Sequence, residues 1–297
     1  MSIIKKIFIK VRLIILDNFI YYLRSIKYKF LSLFNNKKGI NIGEERENKI
    51  IVSITSIPSR FTSLYLCLET IMRQSLKPDK IILYLGNNTK NMELPQNFKK
   101  MKKRGLTIEY RDDKELKPHT KYFYAMQEHP NDIIITFDDD ILYNKNVIKM
   151  LYESYLKFPN EVSAIRVHKI TFNQDKINKY KNWIMEYKGK DTLIPSHYLC
   201  ATGVGGVLYP PHIMPKETFN KENIKNLSLS ADDLWLKVMQ IKYKIKVVKA
   251  LEKNYYLFVI KNSQSIALNK TNVDKCENDR VLSNLLNYYG IDKKDFD

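Results

Sequence analysis

The 297-residue chain has no apolar run that escapes charge for long. Its most apolar stretch, residues 3–34, is broken by Lys5, Lys6, Lys10, Arg12, Asp17, Arg24, Lys27 and Lys29. No window approaches the roughly 20 uncharged residues that a membrane span needs. No small-residue cleavage site follows either, so a secretory leader is not expected. Cysteine is scarce: Cys67, Cys200 and Cys276 lie far apart without C-x-x-C spacing. That excludes a disulfide scaffold or a Cys-based zinc site and fits a reducing compartment. Glycine (9) and proline (10) are few while Tyr (20) and Phe (13) are many, a globular composition and not a disordered one.

What the chain has in excess is positive charge, a formal net of +18. Residues 1–46 carry ten Lys/Arg against three acids, and the rest is spread over about 250 residues. A basic chain meets nucleic acid, an anionic membrane or an acidic small substrate. Cations interleaved with aromatics at residues 179–188 and 242–246 come with no nucleic-acid motif, so no nucleic acid is expected as partner. Residues 3–34 place Ile, Leu, Val and Phe at helical spacing among lysines. Such a helix lies on an anionic membrane surface, or packs on the protein's own core or a second subunit. Residues 35–49 read as a polar linker, giving a division into 1–48 and 49–297.

After the linker, short apolar runs alternate with helical segments, the pattern of an α/β fold with a mostly parallel central sheet flanked by helices. Strands are expected at Ile50–Thr55, Lys80–Leu85, Leu106–Tyr110, Asp132–Phe137, Val162–Val167 and Lys246–Lys249. Helices are expected at Leu64–Arg73, Tyr122–Glu128, Val147–Phe158 and Ala231–Gln240. Ligands of such sheets collect at the carboxyl ends of strands. There stand Arg60 with Thr55 and Pro58, Asp112, and the triplet Asp138-Asp139-Asp140.

Three adjacent carboxylates repel one another and raise each other's pKa unless a cation relieves them. Mg²⁺ or Mn²⁺ prefers oxygen ligands, one or two carboxylates with phosphates and water. Along a strand i and i+2 share a side, so Asp138 and Asp140 converge on one metal and Asp139 faces away. The alternative is an acidic turn or a set of helix caps. Asp232-Asp233 opens a helix, where capping and the helix dipole alone favour acids, yet a carboxylate there also serves as a general base. Lys121 and His119 offer charge for a diphosphate, or merely start a helix. Gly203, Gly205 and Gly206 let backbone approach a ligand, or mark a strand bulge, and lack the Lys-Ser/Thr ending of a Walker loop. Trp235 is a sugar platform or a core aromatic.

In this order TSIPSR, KPDKIILYL, KPHTKYFYAM, PNDIIITFDDDILY, GVGGVLYPP and ADDLWLK resemble a bacterial surface-glycan glycosyltransferase of GT-A fold, similar in layout to family 2 glycosyltransferases. The resemblance covers residues 49–290. It implies a nucleoside-diphosphate sugar donor, a glycan or glycolipid acceptor in polysaccharide biosynthesis, and an Asp-x-Asp site for Mn²⁺ or Mg²⁺ at Asp138 and Asp140. It further implies donor contacts from Asp139, Gly205, Gly206 and Lys121, Asp233 as the base of an inverting transfer with Asp232 beside it, and work at the cytoplasmic face of a membrane. The acidic residue that such enzymes carry after the second strand is replaced here by Gly86-Asn87-Asn88, so nucleobase recognition passes to Asp112 or Asp113 and the 55–60 loop. Two other readings compete: a metal-dependent nucleotidyltransferase or phosphodiesterase, and a non-catalytic membrane- or nucleic-acid-binding protein.

Overall fold

The computed structural model describes residues 3–34, 36–111, 116–252, 256–261 and 277–296, with side chains in the first helix from Leu16 onward. Asp112, Asp113 and Cys276 lie outside the described residues. The long N-terminal helix α1 (Ile3–Phe34) precedes a sheet whose strands grow from β-branched runs. Strands β1 (Ile50–Thr55), β2 (Lys80–Gly86), β3 (Leu106–Arg111) and β4 (Ile133–Phe137) pair in parallel in the order β3-β2-β1-β4. The side chains of β1, β2 and β4 are buried on both faces, the mark of strands covered by helices on each side, while those of the edge strand β3 are half-buried beyond Leu106. Ile50, Val52 and Ile54 face the layer of α2 (Phe61–Met72), α3 (Gln96–Lys103) and α5 (Val147–Lys157). Ile51, with Ile82 and Tyr84 of β2, faces α4 (Thr120–Glu128) and the later helices.

This is the anticipated layout, a mostly parallel sheet flanked by helices behind a long first helix. The chain departs from simple alternation beyond β4. A two-residue strand, β5 (Ile141–Leu142), lies outside the sheet. The run expected as one strand from Val162 to Val167 is split into β6 (Val162–Ala164), in the main sheet, and β7 (Val167–Lys169). At the break Gly205 lies so close to Ile165 and Arg166 that a Cβ there would come within 3.0 Å of Arg166, and Ile165 donates to the Gly206 carbonyl at 3.2 Å. A small hairpin, β8 (Phe172–Asn173) with β9 (Lys176–Ile177), follows, and β10 (Leu199–Ala201) pairs with β7.

Strand β11 (Val207–Tyr209) then enters the main sheet antiparallel, between β4 and β6, and β12 (Val247–Lys249) completes the order β12-β6-β11-β4-β1-β2-β3. Helices α6 (Lys221–Leu227), α7 (Asp232–Lys242) and α8 (Glu277–Tyr289) accompany this half, with β13 (Phe258–Val259) against β5. The segment read as a linker is stitched to the sheet, since Arg46 and Asn41 both hold Asp79, at 2.8 and 2.7 Å.

Three histidines are buried: His119, His168 and His197. Burial holds each near 4, below the ordinary 6.5. Between pH 6.5 and 4 the unfolded chain therefore binds protons that the folded chain refuses. Each histidine's contribution is whole above pH 6.5 and is lost as pH falls toward 4, on the order of 3 kcal/mol for the fully enclosed His119. Urea midpoints measured from pH 7 to 4.5 check this, with His119→Gln expected to give the flatter curve.

Candidate active site

The sheet reverses its winding between β1 and β4, because β2 and β3 extend to one side of β1 and β4 lies on the other. Such a switch point leaves a crevice at the carboxyl ends of the two strands. The loop after β1 and the triplet after β4 meet there. Pro58 opens a 3₁₀ turn, Pro58–Arg60, that aims Arg60 at the triplet. The Ser56 hydroxyl donates to Asp139 Oδ2 at 2.5 Å, and the Arg60 guanidinium pairs with Asp139 Oδ1 and reaches Asp140 Oδ2 at 3.4 Å. Thr55 turns into the sheet instead, donating to the Tyr84 carbonyl at 3.0 Å.

Asp139 is therefore a buried anchor, 6 % exposed, with both oxygens engaged inside the protein. Burial leaves its carboxyl above the ordinary value despite Arg60 and Ser56. The donor contact that the resemblance implied for Asp139 meets a carboxyl that Ser56 and Arg60 already hold. Its neighbours face more open ground: the side chain of Asp138 is 28 % exposed and that of Asp140 13 %. Burial, then the charge of Asp138, pushes Asp140 up to about 6. The backbone of Asp138 is fixed by Tyr143, whose hydroxyl accepts from the Asp138 N–H at 3.0 Å and donates to its carbonyl at 3.2 Å. Sequence reading gave no sign of this clamp.

The second acidic pair arrives from α7. Lys121, in the first turn of α4, places its Nζ 2.7 Å from Asp138 Oδ1 and 2.8 Å from Asp232 Oδ2. Burial opposes the lysine's charge, but Asp138 and Asp232 override it and hold the ammonium well above its ordinary value. In return Lys121 outweighs the burial of Asp232 and keeps that carboxyl below its ordinary value. Asp233 accepts from the Gly203 N–H at 3.1 Å. Capping does not account for this contact, since Gly203 lies outside α7 and the cap residue, Ala231, has no side-chain bond. Burial, and then the charge of Asp232, pushes Asp233 up to about 8. A cluster of opposed carboxylate pKa values in a crevice is the arrangement that acid–base sites use.

No family model and no curated protein matches this chain. Among solved structures it is similar to TarS residues 1–349 of S. aureus in complex with UDP, at 14% identity over 81% of this chain and 71% of that one, TM-score 0.45. It is also similar to a mannosyltransferase of Pyrobaculum calidifontis in complex with GDP-Man and Mn²⁺, at 11% identity over 79% and 64%, TM-score 0.44. A third is a CMP:2-keto-3-deoxy-manno-octonic acid synthetase with CTP, at 12% identity over 68% and 89%, TM-score 0.42.

The other candidates have these surroundings. His119 is buried, its Nδ1 2.8 Å from the Tyr122 hydroxyl and its Nε2 2.8 Å from the Ser228 carbonyl, so no ring nitrogen is left for a donor. A Cβ at Gly205 would crowd Arg166 at 3.0 Å, and one at Gly206 (φ 93°) would strike the Phe137 ring, so packing within the chain itself favours glycine at both positions. Only at Gly203 does the missing Cβ face the charged cluster, 2.8 Å from Lys121 Nζ and 3.0 Å from Asp138 Oδ1. Trp235 is a core residue that donates to the Thr218 carbonyl at 3.0 Å.

No group of three or more His, Cys, Asp or Glu among the described residues encloses an ion. The donor set nevertheless suits a hard cation that takes the rest of its shell from phosphates and water. Asp138 and Asp140 carry hard oxygen ligands, and the charge of Asp138 is one cause of the raised Asp140.

Proposed function

We propose that this chain is a metal-dependent glycosyltransferase of GT-A type. It transfers a sugar from a nucleoside-diphosphate donor to a glycan or lipid-linked acceptor, with inversion, at the cytoplasmic face of the cell membrane. The observation that carries the reading is Lys121: one buried ammonium joins the strand-end triplet to the Asp232–Asp233 pair, so a leaving-group site and a base site share one crevice.

Asp138 and Asp140 would hold Mn²⁺ or Mg²⁺, which when bound supplies positive charge to the diphosphate. Lys121 adds a preorganised cation on the same side, where charge develops on the departing oxygen. Asp139 keeps the triplet in place through Ser56 and Arg60. The Asp233 carboxylate takes the acceptor hydroxyl's proton as that oxygen bonds to the anomeric carbon. The carbon–phosphate oxygen bond breaks, and the nucleoside diphosphate leaves with the electron pair. Gly203 N–H holds the Asp233 carboxylate in position.

The test is a panel of nucleotide sugars scored by thermal shift and donor hydrolysis with and without Mn²⁺. One donor is expected to raise Tm only with metal, and Asp138→Asn with Asp140→Asn to abolish the effect. Release of pyrophosphate from free nucleoside triphosphates, with silence toward every nucleotide sugar, would assign the site to nucleotidyl transfer. Full activity in the double variant would remove the metal site from the mechanism.

A further inference from the structure

Helix α1 packs one side on the domain and leaves the other bare. Tyr21 is buried and its hydroxyl accepts from the Lys261 N–H at 2.9 Å; Arg24 lies 4.3 Å over the Phe258 ring, and Lys100 donates to the Leu33 carbonyl at 3.1 Å. These contacts fix the helix's roll. On the outward side Leu16, Phe19, Leu23, Ile26, Phe30 and Leu33 are 49, 59, 53, 64, 61 and 48 % exposed. Their spacing alternates three and four residues, one unbroken apolar seam along the helix. Exposed apolar surface of this extent marks an interaction site.

Two occupants suit such a seam, a second copy of the helix or a lipid surface, and charge decides between them. In heptad terms the seam fills a and d, while Lys27 and Lys29 stand on its two flanks. A second copy brings no acid to these lysines: in a parallel pair its flanks set Tyr22 opposite Lys27 and Phe34 opposite Lys29, and Asp17 stands on neither flank. Lys261 adds a third cation at the rim, its Nζ 4.2 Å over the Tyr22 ring. The only acid of residues 3–34, Asp17, is bonded by the Tyr256 side chain. No helix among the described residues is long and apolar enough to cross a membrane. An apolar seam whose charged flanking residues are lysines matches the boundary between acyl chains and anionic headgroups.

We infer that the outward face of α1 docks on an anionic lipid bilayer. Leu16, Phe19, Leu23, Ile26, Phe30 and Leu33 enter the acyl boundary, and Lys27, Lys29 and Lys261 lie at the headgroups. The inference stands apart from sugar transfer, and its test contains no donor.

The full chain is sedimented with vesicles of pure phosphatidylcholine or with about 30 % phosphatidylserine added, at about 0.15 M salt. Binding is expected with the anionic vesicles only. Ile26→Glu with Phe30→Glu should abolish it while circular dichroism and Tm stay unchanged, since both positions are exposed. Lys27→Glu or Lys29→Glu should each weaken binding at least about fivefold. Wild-type protein that stays in the supernatant, or a glutamate double variant that still binds, overturns the inference. A wild-type dimer that the double variant converts to monomer, with no vesicle binding, assigns the seam to a second copy.

Discussion

Exchanging Asp233 for asparagine is expected to lower kcat for sugar transfer by about 10²- to 10⁴-fold, the share that a positioned general base supplies, with little change in donor KM. The amide accepts no proton, yet it keeps an oxygen for the Gly203 N–H. The pH dependence follows from the same group. Burial beside Asp232 places Asp233 near 8, so log kcat/KM of the wild type should climb with pH and level off around 8. If Asp138 and Asp140 hold the proposed cation, the kcat limb should lie at lower pH, because its charge would favour the ionised carboxylate.

Stability moves the opposite way. From the ordinary carboxylate value up to 8, folded Asp233 keeps a proton that the unfolded chain has released, so its contribution to stability falls as pH rises. Asp233→Asn should therefore melt no lower than wild type, with its advantage growing up to pH 8. A variant that retains activity with an unchanged pH profile would place the base elsewhere.

Lys121→Met should produce the largest stability loss. Methionine keeps much of the stem but leaves Asp138 and Asp232 facing each other without a cation, their side chains only 28 and 11 % exposed. Breaking a buried pair from one side costs about 3–5 kcal/mol, a fall in Tm on the order of 10 °C. The sign with pH is defined. Lys121 holds Asp232 below its ordinary value, a contribution present at neutral pH and lost as pH falls through the carboxylate range. The deficit of the variant should thus shrink in acid. Excess Mn²⁺ should restore part of the Tm if Asp138 is a ligand. A variant as stable as wild type would mean that the carboxylates are solvated and that the two acidic pairs are independent.

The parallel half of the sheet was legible because IIVSIT, KIILYL and DIIITF are continuous apolar runs bounded by polar turns. Helical spacing of apolar residues marked the helices between them, and the triplet stood directly after DIIITF. Strand β11 was not legible: three residues, Val207–Tyr209, show no period, and antiparallel entry between β4 and β6 is decided by packing at a distance. For the same reason Val162–Val167 passed for one strand. At the site, residue types pointed to Lys121 and to both acidic pairs, but not to their partners. That Asp139 turns inward to Ser56 and Arg60, that His119 is sealed by Tyr122 and Ser228, and that Tyr143 pins Asp138 are tertiary facts without a local signature.

Gly206 carries a consequence for how this sequence can drift. Its absent Cβ lies against the ring of Phe137, and Phe137 is followed directly by Asp138. Any side chain at 206 must displace that ring or the backbone that bears it, in addition to straining a left-handed φ. A change there is transmitted to Asp138, which follows that ring's residue directly in the chain. Substitution at 206 would therefore act on the strand-end triplet as well as on the core.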